Sequence, residues 1–167
     1  MRENKNNQKN NGLSYDLNLK GKSKLTKQST MIRKNIKHMN TEEIKYLKNI
    51  LASTGYLKIT KHAEEKQLVK PVEIRNIISN KEYKIIDYNY DLNNKEERIL
   101  FRSKKVYQVK NNEGKYEDCY CKIVISLTTN TIITQWMNRC ADEENKQNNI
   151  KNRYCEYFDI INKKLKI

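Results

Sequence analysis

His62, Arg98, Arg102 and Thr134 are the residues whose types best fit chemistry on a phosphodiester. An imidazole that titrates near neutrality can take a proton from a 2′-hydroxyl and return one to a leaving 5′-oxygen. Guanidinium groups bind phosphate through paired N–H donors and stabilise the charge that grows on it during displacement. Arg98 and Arg102 are four residues apart, which on a strand puts them on one face, about 13 Å from each other. A hydroxyl at Thr134 would orient the phosphate. Each residue also has a plainer reading. A histidine early in a polar helix is commonly a surface or capping group, the arginines have Glu96 and Glu97 beside them as partners, and threonine suits strands by shape alone.

A second tier could hold a nucleic acid without reacting with it. Lys61, Lys104, Lys105 and Lys122 are candidate phosphate contacts, and Tyr88 could stack on a base or donate a proton. The four cysteines, Cys119, Cys121, Cys140 and Cys155, raise the question of zinc. A C-x-C pair on a strand is not knuckle spacing and no C-x-x-C occurs, so they read as free thiols and the expectation is no metal. With four glycines and no Gly-rich phosphate loop, a nucleotide-binding fold is not expected, nor is any cofactor.

The elements that must position these residues follow from periodicity. Residues 1–30 carry seven Lys/Arg against Glu3 and Asp16 and read as a disordered basic arm, although Leu13, Tyr15, Leu17 and Leu19 alternate as a short strand would. Residues 31–167 read as a single domain. A helix is predicted from Thr41 to about Ser53, with Asn40 and Glu43 as a capping box and Ile44, Leu47, Ile50 and Leu51 as its apolar stripe. A short helix follows over Thr60–Leu68, and another starts at Pro71. Strands are predicted over Tyr83–Tyr90, Glu97–Val109, Cys119–Leu127 and from about Thr131 through Met137, separated by polar turns. Ile150, Tyr154, Tyr157, Phe158, Ile161 and Leu165 fall at helical spacing, so a C-terminal amphipathic helix is predicted over about 142–165. The fold class is α+β: N-terminal helices, a three- to four-stranded antiparallel sheet and a C-terminal helix over one face.

Composition limits the partners. The chain has 167 residues, a formal net charge of +14 and 37% hydrophobic residues, with a pI near 9.5 and a mean hydropathy of −0.98. That balance favours a polyanion, RNA before membrane. Coding bias competes with this, because Lys, Asn, Ile and Tyr are the residues of A/T-rich codons. No apolar run approaches the length of a membrane span, and Met1–Asn11 lacks a signal-peptide pattern, so a cytoplasmic protein is expected.

The segment Ile59–Asn138 resembles the RelE-like superfamily that groups barnase-type, EndoU, colicin and RelE/ParE toxin domains, nearest an uncharacterised phage or mobile-element branch. The resemblance rests on Lys61-His62-Ala63-Glu64-Glu65, Val72-Glu73-Ile74-Arg75-Asn76-Ile77-Ile78, Arg98-Ile99-Leu100-Phe101-Arg102, Cys121-Lys122-Ile123-Val124-Ile125 and Ile132-Ile133-Thr134-Gln135-Trp136. It implies a metal-independent endoribonuclease with its activity on His62, Arg98, Arg102 and Thr134; if the chain is a ribonuclease, cleavage is expected to survive chelators and leave a 2′,3′-cyclic phosphate. Related helices often carry an arginine a few residues after the histidine, where this chain has Glu65 and Lys66. Three function classes therefore stand: an RNA-cleaving enzyme, a toxin-like RNA-binding protein without turnover, and a phage-encoded inhibitor of a host defence or RNA-processing protein or ribonucleoprotein. The first two divide on whether His62, Arg98 and Arg102 converge on one pocket, and the third predicts an exposed apolar or charged patch away from it.

Overall fold

The computed structural model describes residues 31–66, 82–145 and 155–166. Strand β1 (Met31–Asn35) leads through a 3-10 turn (Ile36–His38) into helix α1 (Thr41–Ser53). Strand β2 (Lys58–Ile59) and helix α2 (Lys61–Glu65) follow, then β3 (Tyr83–Asp91), β4 (Glu96–Lys110), β5 (Tyr116–Ser126) and β6 (Thr131–Arg139). Helix α3 (Cys140–Asn145) leaves the last of these, and β7 (Phe158–Asp159) and β8 (Lys164–Leu165) form a small separate hairpin. The main sheet runs β1-β3-β4-β5-β6-β2. Every pairing is antiparallel except that of β2 with β6. The molecule is α+β, as expected.

Alternation explains which face is buried. Ile99 and Phe101 of β4, Ile123 and Ile125 of β5 and Ile132 of β6 form the core with Ile32 of β1, and all are at most 2% exposed. Leu47 of α1 and Phe158 and Ile160 of the hairpin cover that face, each 0% exposed. Burying an aliphatic or aromatic side chain of this size contributes roughly 1.5–3 kcal/mol. The helix start is also as expected: Glu43 N–H donates to Asn40 Oδ1 at 2.8 Å and Asn40 N–H to Glu43 Oε1 at 3.1 Å. Thr60 caps α2 by accepting from Ala63 N–H.

The sheet is larger than the three or four strands expected. In β1 the sequence Met-Ile-Arg-Lys-Asn hides its inward face, because the residue after Ile32 in the buried register is Lys34. Lys34 is buried on the carboxylate of Glu43, Nζ to Oε1 at 2.8 Å. β2 has only two residues, too few for any period to show.

The C-terminal helix is a correction. Among the described residues, helical structure near there is confined to α3, and Phe158–Leu165 folds as the β7–β8 hairpin; the part of the prediction over 146–154 lies outside the described residues. Asp159 Oδ1 accepts from Ile161 N–H at 3.0 Å and Oδ2 from Asn162 Nδ2 at 2.8 Å, a local turn that competes with helix. Lys163 completes the reversal at φ 53°. Phe158 then stacks near Tyr90 and Tyr88, with ring centroids 5.8 and 6.5 Å away. The arm, the predicted strand at Leu13–Leu19 and the Pro71 helix lie outside the described residues. Among the described residues no helix is long and apolar enough to cross a membrane.

Candidate nucleic-acid interface

Register assigns the predicted site residues to faces. Arg98 sits opposite Asn89 and Ser126, Arg102 opposite Lys84 and Lys122, and Thr134 opposite Val124. Arg98, Arg102, Lys122 and Thr134 therefore share the sheet face that looks away from the core. Arg98, Arg102 and Lys122 are already engaged there. Arg98 Nε and Nη2 both reach Glu96 Oε1 at 2.7 Å, the guanidinium of Arg102 lies 4.1 Å from the ring centroid of Tyr120, and Lys122 is 0% exposed. The same face carries the buried Asp87, which accepts from Asn89 Nδ2 at 3.2 Å.

His62 does not join them. It is exposed on α2 beside exposed Lys61. Helix α2 is tied to β6 by Thr60 Oγ1 donating to Ile133 O at 2.8 Å and by Gln135 Nε2 donating to Ala63 O at 2.9 Å. Gln135 pairs with core-facing Ile123, so α2 packs on the core side, at the β6 edge. The arginines are on β4, two strands away, on the opposite face. His62 makes no hydrogen bond or ion pair with a described residue.

Tyr88 faces inward as well. It is 0% exposed, and its hydroxyl donates to Glu97 Oε2 at 2.8 Å. Tyr46 also donates to that oxygen, at 3.0 Å, and Lys163 Nζ approaches it at 3.0 Å. Burial, then the charge of Glu97, holds the Tyr88 phenol well above the ordinary tyrosine range. Burial raises Tyr46 too. This cluster clamps α1 and the hairpin to the sheet. Sequence reasoning missed it because its members are far apart in the chain.

Exposed lysines occur across the described residues, among them Lys37, Lys45, Lys48, Lys61 and Lys95, and a group of them gathers where β4 outruns β3. Pairing with β3 ends at Ser103, whereas β4 continues to Lys110 against β5. A bulge falls between Arg102 and Val106. The buried Ser103 hydroxyl fixes it, donating to Lys105 O at 2.7 Å and accepting from Cys121 N–H at 3.0 Å. Bulges re-aim side chains, and here Lys104 and Lys105 both point to solvent. Glu82, Tyr83, Ser103, Lys104, Lys105 and Tyr107 line a cleft of about 450 Å³ at this point. Further along the ribbon, Lys110 and Lys115 are exposed, as is Tyr116 at 67%. Two carboxylates of the ribbon are occupied, Glu117 with Arg139 Nη1 at 3.6 Å and Asp118 with Gln108 Nε2. Among the described residues, Lys104, Lys105, Lys110 and Lys115 have no carboxylate partner.

Cys119, Cys121 and Cys155 are buried free thiols, and burial pushes the pKa of each up. Among the described residues, no three His, Cys, Asp or Glu side chains gather as metal ligands. No protein-family model, curated protein or solved structure matches the chain.

Proposed function

We propose that the chain binds single-stranded RNA along the β4–β5 ribbon, without a catalytic role for His62. The observation that carries this is the set of four lysines, Lys104, Lys105, Lys110 and Lys115, exposed among exposed or half-buried tyrosines and with no carboxylate partner among the described residues. Lysines in that condition exchange condensed counterions for phosphates, and tyrosine rings stack bases of any sequence. Arg98 and Arg102, which the sequence favoured, already hold a carboxylate and an aromatic ring, so a phosphate would have to displace those contacts.

The kinship with RelE-like toxins belongs to the same proposal. What supports it is the order of α2 followed by the four-stranded meander β3–β6 within residues 59–138. On this reading the scaffold is retained and turnover is not, because a metal-free ribonuclease needs its proton-transfer residue within hydrogen-bond reach of the reacting phosphate. A second reading, a phage-encoded inhibitor that docks on a host protein, draws on one observation: Val106 is 43% exposed on the part of β4 that β3 leaves uncovered.

The test is labelled single-stranded RNA incubated with the full chain in EDTA at low ionic strength. Binding without cleavage is expected, unchanged in His62→Ala and weakened roughly tenfold in Lys104→Ala/Lys105→Ala, as for loss of charge-assisted contacts. Cleavage that disappears in His62→Ala would restore the endoribonuclease. Absence of binding even at low salt would leave the lysines to coding bias and move the inhibitor reading ahead.

A further inference from the structure

We propose that the cleft at the β4 bulge is a one-nucleotide subsite, taking a base against Tyr107 and its phosphate between Lys104 and Lys105. The inference rests on the RNA reading and deepens it, by naming where a single unstacked nucleotide is held. The volume, about 450 Å³, lies within the ~300–1,000 Å³ usual for small-molecule sites. Its lining combines two aromatic rings, two ammonium groups, one carboxylate and one hydroxyl. That set suits a nucleotide, which is a flat π-face joined through a sugar to a dianion.

The cleft is built by the fold rather than by loose surface chains. Ser103 is 1% exposed, and its hydroxyl is committed to the two backbone groups that shape the bulge. Lys104 N–H donates to Glu82 O at 3.0 Å, which closes the end of the cleft against the start of β3. Tyr83 is 6% exposed and offers a rigid wall. Lys105 Nζ lies over the Tyr107 ring, 5.2 Å from its centroid, so a base stacking there takes the place of that cation, whose exposed side chain turns to the phosphate. Glu82 can accept from a ribose hydroxyl, the group that distinguishes RNA from DNA. A folded protein partner would use the apolar edge at Val106 and leave this mixed-charge cleft unfilled.

The experiment titrates the full chain with 5′-ribonucleoside monophosphates, and separately with inorganic phosphate, by calorimetry or tyrosine fluorescence. Saturable mononucleotide binding, tighter than phosphate, is expected. Lys105→Gln should weaken it roughly tenfold, and Tyr107→Leu roughly fivefold to a hundredfold, the range for loss of a stacking ring. Tyr107→Phe keeps the ring and should stay within about twofold. Lys48→Gln, exposed on α1 and outside the ribbon, should not change mononucleotide affinity. If RNA binds but mononucleotides do not, the subsite is wrong and the ribbon reading stands. If neither binds, both fall. Phosphate binding as tightly as the mononucleotides would also overturn the subsite, because the base would then contribute nothing.

Discussion

Glu43 shows how a residue legible for one reason can be held for another. Its place three after Asn40 identifies a capping box, and the box is present. The same carboxylate also accepts from Lys34 Nζ at 2.8 Å and Ile160 N–H at 2.9 Å, joining β1, α1 and the C-terminal hairpin at 1% exposure. The capping role is local and could be read. The buried pair could not, because its partners are 9 and 117 residues away. Lys34 is fully committed, since Nζ also donates to Phe158 O at 2.7 Å. Removing the carboxylate strands that ammonium in the interior, where breaking a buried pair costs about 3–5 kcal/mol. Glu43→Ala should therefore lower unfolding free energy by that order in urea, and Lys34→Met/Glu43→Leu should lose less than Glu43→Ala alone. A Glu43→Ala loss under about 1 kcal/mol would mean that the pair is solvated in solution. Among the predicted site residues the same contrast holds: strand parity placed Arg98 and Arg102 on one face and neighbouring Glu96 was legible as a partner, but nothing local disclosed that cross-strand register would bring Lys122 and Thr134 to that face or that Tyr120 would take Arg102.

Elements were legible where one period dominates. The meander β3–β6 and helix α1 are such cases, and the predicted boundaries lie within about three residues of those observed. The C-terminal segment was misread because Tyr157, Phe158, Ile161 and Leu165 satisfy a helical spacing, while Asp159 supplies the competing local bonds and the buried pair Phe158 and Ile160 satisfies a strand. Tertiary burial decided between the two periods. The β4–β5 turn was predicted from Asn111-Asn112-Glu113-Gly114, and its geometry is specific: Gly114 has φ 82°, and a Cβ there would meet nothing nearer than Lys110 Cε at 3.7 Å. A side chain would thus cost backbone strain without a clash, about 1–2 kcal/mol. Gly114→Ala should destabilise the protein by that amount in chemical denaturation, while Gly114→Asn, which tolerates left-handed backbone, should lose less. Equal losses for both would place the cost elsewhere than in φ.

At the scale of the whole molecule the open question is whether +14 reflects codons or a polyanion. Coding bias scatters lysine without regard to partners, so biased lysines should be paired as often as chance allows. Among the described residues, Lys34 and Lys163 meet buried or half-buried carboxylates, lysines such as Lys37, Lys45, Lys48 and Lys95 are exposed across the surface as bias would leave them, and four with no carboxylate partner gather on one ribbon. Those four should account for a measurable share of any counterion release. For single strands the logarithm of the association constant falls with the logarithm of salt by about 0.7 per neutralised phosphate. Replacing Lys104, Lys105, Lys110 and Lys115 by Gln should then flatten the salt slope by about three if all four meet phosphates. Deleting residues 1–30, which carry a net +5 from seven basic residues, Glu3 and Asp16, should flatten it further while leaving the unfolding transition in place. The two changes separate a docked ribbon from a diffuse cation. A slope unmoved by the four ribbon substitutions, yet lowered by the deletion, would assign binding to the arm alone and remove the sheet from the account.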